Sequence, residues 1–419
     1  MRFPTLLFAL LLPLSVWGQN RDIRAAWYVD GNIEKNENRS HTALEAFEQG
    51  SSVIYATNEV YLILTKLRMN KTSGVIMDDD RRQTGVNSVL LADKVSRVRV
   101  EDCAVTSHVS NSDGITAIGE GTTVIVQEGT VTTNKSGSAG IVAVKGSEIT
   151  DYKTEMNTAG NQSASFLAID GGKIDIAEAF GRSAGQASPL FHSSGDIYAT
   201  KCRLAAAKWT IGNVENGTLR LVKNDLKAGG ISGFLVYSTK DSDIKANLIL
   251  SGNTMSVAEG PLFLVTNVND ATITIADNNK VSLKSNELMS VRSDDWGRKG
   301  SNGGHAVLNV EKQSLSGSIT VDSISSLQVN LLKKGKLNGQ INAQENRCAQ
   351  VRIKLGAGSS WTSKGESYLT SVEFDQPLAK GLKQLKGKHT IYYDPADPAN
   401  AALEGKEYKT GGGMLRPLK

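Results

Sequence analysis

Asp102 and Glu128 are the first carboxylates in this 419-residue sequence whose spacing suggests chemistry, because each follows an alternating apolar segment of the same kind. On neighbouring strands of a parallel stack they would stand roughly 4.8 Å apart. That is close enough to share a calcium ion and, through it, the carboxylate of an acidic sugar. The same alignment carries the column on through Lys153, Glu178, Lys201 and Lys223. With lysines interleaved, the preferred reading is a solvated ladder in which cations separate acids that would otherwise repel. Eliminating across a uronate also needs a base to take the proton beside its carboxylate, and no residue identifies itself for that work.

A second set is Asp294, Asp295, Trp296, Arg298 and Lys299, which joins an aromatic to both signs of charge. It lies inside the longest interval between successive apolar segments, 35 residues from Ile273 to Leu308. Loops on rigid scaffolds are where binding residues gather, and an indole stacks well on a sugar face. The competing expectation is that Trp296 folds back to pack on the stack while Gly303 and Gly304 turn the chain.

The remaining reactive residue types point away from metals and cofactors. Cys103 and Cys202 fall at equivalent positions four strands apart, roughly 19 Å by strand spacing, whereas a disulfide needs Cα atoms within about 7 Å. With Cys348 the count is three, and small apolar packing is the expected role. The five histidines have no zinc-ligand spacing. Asp78 to Arg82, three acids and two arginines, reads as an exposed loop. No cofactor is called for, and calcium enters only with lyase chemistry.

The elements that must position these groups are short strands. Alternating pairs recur at Val98/Val100, Val124/Val126, Ile174/Ile176, Leu219/Leu221, Leu248/Leu250, Ile273/Ile275, Leu308/Val310, Leu327/Val329 and Val351/Ile353. Weaker segments at Ile149 and Ile197 halve the two long gaps, giving a period of about 25 residues. A second family, including Ile141 to Val144, Phe166 to Ile169, Phe234 to Tyr237 and Leu262 to Val265, follows at a steady offset. Two or three strands per period with Gly, Asn and Ser at the corners predict an all-β fold, a single-stranded parallel β-helix with right-handed connections. An antiparallel sandwich gives no reason for the period. The 41 glycines, 8 prolines and 6% aromatic residues suit strands and turns.

Residues 1–18 read as a secretory signal peptide: Arg2, an apolar run and small residues before Gln19. Residues 19–80 are expected to hold an N-terminal cap and the first coils, with Thr42 to Glu45 resembling a capping box ahead of a short helix reaching Phe47. The β-helix is expected over 81–380 and a loop-rich closing segment over 381–419. The net charge of +4 is spread among interleaved acids and bases, which argues against nucleic acid as partner. No later stretch has membrane length.

Four segments carry a family likeness: Gly260 to Asn267 (GPLFLVTN), Trp296 to Gly304 (WGRKGSNGG), Val321 to Leu327 (VDSISSL) and Asn338 to Asn342 (NGQIN). Over roughly residues 85 to 415 the chain resembles bacterial secreted β-helix proteins described as adhesin-like or pectate-lyase-like. The resemblance implies a right-handed parallel β-helix working outside the cell, and it carries over no catalytic residue. The expectation is an exported, non-enzymatic protein that binds a polysaccharide or another cell-surface macromolecule. The alternative is a polysaccharide lyase or glycoside hydrolase on the same scaffold.

Overall fold

The computed structural model describes residues 23–77, 81–239, 244–343 and 349–419. The expected signal peptide, Asp78 to Asp80 and Cys348 lie outside them. The chain winds as an all-β parallel solenoid of about 15 turns. Each coil contributes three strands, as in Leu90–Ala92, Arg97–Glu101 and Ala104–Ser107, followed by Ile115–Ile118 on the next turn. Sheet one stacks Arg97–Glu101, Thr123–Gln127 and Glu148–Tyr152 in parallel register, with Val98, Val124, Ile149 and Ile174 in a single column. Sheet two is ten-stranded from Ala43–Ala46 to Lys280–Leu283 and continues as four strands ending at Leu385–Lys386. Sheet three carries the second family. The strand Phe166–Ala177 runs through the corner between sheets three and one, so it belongs to both.

Strand alternation explains the core. Val98 and Val100 point inward while Arg97 and Arg99 face out, and the same pattern repeats rung by rung. On sheet three the inward column reads Ile141, Phe166, Phe191, Gly212, Phe234, Phe263 and Met289. Phe166 stacks on Phe191 at 5.8 Å and Phe234 on Phe263 at 5.9 Å. Gly212 lies between the two pairs, where an added Cβ would come within 2.5 Å of Leu219 and 3.1 Å of Phe234.

The corner after sheet one is held by a buried amide ladder. Asn224, Asn253, Asn279 and Gln313 occupy one column, and each asparagine Nδ2 donates to the side-chain oxygen of the next member at 3.0, 3.0 and 3.3 Å. Cys103 and Cys202 stand in the same column at its other end, both buried and unpaired, as the predicted register requires.

One inward position breaks the apolar rule. Asp151 lies between Val126 and Ile176 in the sheet-one core column and is fully buried.

The N-terminal end corrects the helix expectation. Ala43–Ala46 is a strand paired in parallel with Arg68–Lys71, so sheet formation overrides the local capping pattern, and Phe47 is exposed. Among the described residues the first rung carries charge at inward positions. Glu37 and Arg39 sit over Leu62 and Leu64, replacing apolar residues with charge, and the Arg39 guanidinium lies 4.4 Å from the Trp27 ring centroid. Inward charge at a sheet end discourages stacking by a second chain. Replacing both residues, Glu37→Leu with Arg39→Leu, is expected to give concentration-dependent end-to-end oligomers by size exclusion with light scattering. An unchanged elution at all concentrations would remove that role from them.

Candidate functional site

The loop between strands Glu287–Val291 and Gly304–Glu311 leaves the coil and is stapled back to it. The Ser293 amide and hydroxyl donate to Asp322 at 2.7 and 2.9 Å, and Asn302 Nδ2 donates to the carbonyls of Asp294 and Trp296. Burial alone would raise the Asp322 pKa, but the Ser293 amide and hydroxyl, the Ser325 hydroxyl and the Ile324 amide outweigh it and hold the carboxyl below its ordinary value.

Trp296 folds back. Its ring meets Tyr237 at 5.1 Å and 48°, above Leu235 and Leu264. Those leucines point outward from sheet three, and an aromatic cover removes them from water. Asp294 pairs with Arg292 at 3.5 Å. Asp295, Arg298 and Lys299 are exposed. The five residues therefore share one loop, and its indole has a packing partner within the chain.

Beneath that cover is an arrangement the sequence did not single out. His192 Nε2 is 3.5 Å from Glu215, whose carboxylate also accepts from the Thr239 hydroxyl and amide. Burial would raise the Glu215 pKa, but His192 and Thr239 together hold it below the usual carboxylate range. Burial, with the Glu215 charge adding to it, pushes the Tyr237 phenol up. The available signal was register: Glu215 and Tyr237 each follow one of the paired residues Val214 and Val236.

The acidic column falls where alignment put it. Asp102, Glu128, Lys153, Glu178, Lys201 and Lys223 all have left-handed backbone, with φ from 49° to 61°, forming the tight corner between sheets one and two. Each amide donates to the next rung, Asp102 to Gln127 and Glu128 to Tyr152 both at 2.9 Å. The side chains consequently radiate into solvent. Lys153 pairs with Glu128 and Lys201 with Glu178, both at 3.7 Å, which is the charge ladder. Among the described residues no group of three or more His, Cys, Asp or Glu converges as a metal-ligand set.

Asp78 to Arg82 reads in the sequence as an exposed loop, and its described half is not one. Arg81 begins a single helical turn, is buried, and meets Asp113 at 3.2 Å, and both arginines donate to the Gly137 carbonyl.

A concavity lies along the outside of sheet two. It is a groove of about 790 Å³ crossing four rungs, from Glu178 to Gly181 through Lys201 to Ala205 and Lys223 to Lys227 to Gly252 and Thr254. Gly181 takes an inward position between Met156 and Leu204 with φ of 136°, where a Cβ would lie 2.0 Å from the Met156 carbonyl oxygen. Small residues at outward and corner positions open the groove. Ala205 stands between Arg182 and Lys227 on the outer face, and Gly252 replaces a charged residue at the corner. Phe180 lies at one end, 46% exposed, in a column with Arg203, Asp225 and Thr254. Cys202 lines the groove but is buried, and desolvation pushes its thiol up to about 12, so it is no nucleophile.

No family model, no curated protein and no solved structure matches the chain.

Proposed function

We propose that this chain is an exported, adhesin-like, non-enzymatic protein of right-handed winding that binds a glycan on its flank, with the sheet-two groove as the binding surface. The observation that carries the reading is an exposed phenylalanine at the end of an open groove on a rigid parallel stack. A flat aromatic face suits the apolar face of a pyranose, and a scaffold fixed by a continuous core loses little order on binding. The solvated, lysine-paired character of the column containing Asp102 and Glu128 favours this over calcium-assisted lyase chemistry.

The test is a glycan array followed by titration of the best ligand. Phe180→Ala is expected to weaken binding about 5- to 30-fold, the effect of losing one aromatic contact of about 1–2 kcal/mol, while Trp296→Ala lowers thermal stability more than affinity. Absence of any ligand across neutral and acidic glycans would remove the proposal. Calcium-dependent appearance of unsaturated sugars would replace it with the lyase alternative.

A further inference from the structure

The charges around the groove identify the kind of glycan, on the premise that the groove is a glycan site. Four cations line it, Lys201, Arg203, Lys223 and Lys227, against two carboxylates, Glu178 and Asp225. Lys201 is 3.7 Å from Glu178. Arg203, Lys223 and Lys227, with Arg182 beside them on the outer face, have no carboxylate within ion-pair distance among the described residues. Several lateral cations elsewhere on the flank are held by acids. Lys153 pairs with Glu128, Lys173 with Glu148, Lys333 with Glu311 and Lys354 with Asp375. At the groove the cross-rung neighbours Phe180, Ala205 and Gly252 cannot neutralise a cation, and Asp225, which follows Arg203 in its column, forms no ion pair with it.

We infer that the groove takes an anionic polysaccharide, one carrying carboxylate or sulfate groups along its chain. The unpaired cations stand on three successive rungs, roughly 4.8 Å apart, so charge recurs at about the interval of successive sugars in an extended chain. Arg203 can clamp a carboxylate or sulfate through two parallel N–H bonds, and the lysines act as point charges that tolerate a less regular pattern. Phe180 contributes a sugar-facing surface at the end of the cationic run. The neighbouring aromatic positions that successive nucleobases would stack on are absent from the groove lining, which separates it from a single-strand nucleic-acid channel.

The experiment is titration of the full mature chain with a uronate oligosaccharide, a sulfated oligosaccharide, a neutral oligosaccharide of similar length and single-stranded DNA, each at low and high salt. One or both anionic glycans are expected to bind, the neutral one more weakly by at least about tenfold, with affinity falling steeply as salt screens the exposed charges. Binding of the uronate alone assigns carboxylates, and of the sulfated sugar alone assigns sulfates. Arg203→Gln with Lys227→Gln is expected to abolish binding with unchanged circular dichroism and melting, while Lys135→Gln, on a different corner, leaves it intact. Neutral glycan bound equally well, without salt dependence but with loss in Phe180→Ala, would overturn the anionic inference and leave the glycan site standing. DNA bound as tightly as the glycans would overturn it as unselective charge attraction. No glycan bound at either salt would overturn both.

Discussion

Replacing Asp151 with valine is expected to stabilise the protein at neutral pH and above, with the gain shrinking as the solution is acidified. Asp151 lies in the apolar core between Val126 and Ile176, and neither carboxylate oxygen has a hydrogen-bond partner. Burial pushes its pKa up from 3.8 to about 7. The folded chain therefore keeps this proton up to about pH 7, while the unfolded chain releases it near 3.8. Stability falls as pH climbs between those values and is flat outside them. Three units at about 1.36 kcal/mol each set an upper limit of about 4 kcal/mol. Denaturant melts of wild type and Asp151→Val at pH 4 and pH 8 would read the effect. An identical difference at both pH values would mean that the carboxyl does not titrate in this window.

Asn253→Ala carries the largest expected loss. The Asn253 side chain accepts from the Asn224 amide at 2.9 Å and the Asn224 side chain at 3.0 Å, and donates to the Leu221 carbonyl at 2.8 Å and to Asn279 at 3.0 Å. Truncation strands these buried partners, at about 1–3 kcal/mol for each group left without a bond. A net loss of about 3–5 kcal/mol follows once partial relaxation is allowed. A loss below about 1 kcal/mol for Asn253→Ala would show that the ladder decorates the corner without holding it. Because each rung touches only its neighbours, hydrogen exchange should quicken around residues 221–283 first.

The stack was legible because a period-two strand pattern repeating about every 25 residues is compatible with few folds besides a parallel coil. The corner column from Asp102 to Lys223 and the impossibility of a Cys103 to Cys202 bridge followed from register alone. The amide ladder was equally available, since Asn224 and Asn253 each stand three residues beyond the strand residues Leu221 and Leu250, but a polar residue at a corner reads just as well as an ordinary turn former. At the N-terminus a plausible capping box lost to pairing with the next coil, a contact invisible locally. The groove was illegible for a similar reason. It depends on Ala205 pointing outward within a four-residue strand too short to reveal its own alternation.

The most direct measurement is a hydrogen-exchange footprint of the mature chain with an acidic oligosaccharide bound. Protection is expected to be confined to residues 178–182, 201–205, 223–227 and 252–254, and to be lost in Arg203→Gln with Lys227→Gln. Protection centred on residues 293–302, or on the corner around Asp102 and Glu128, would contradict this and move the binding surface elsewhere on the solenoid.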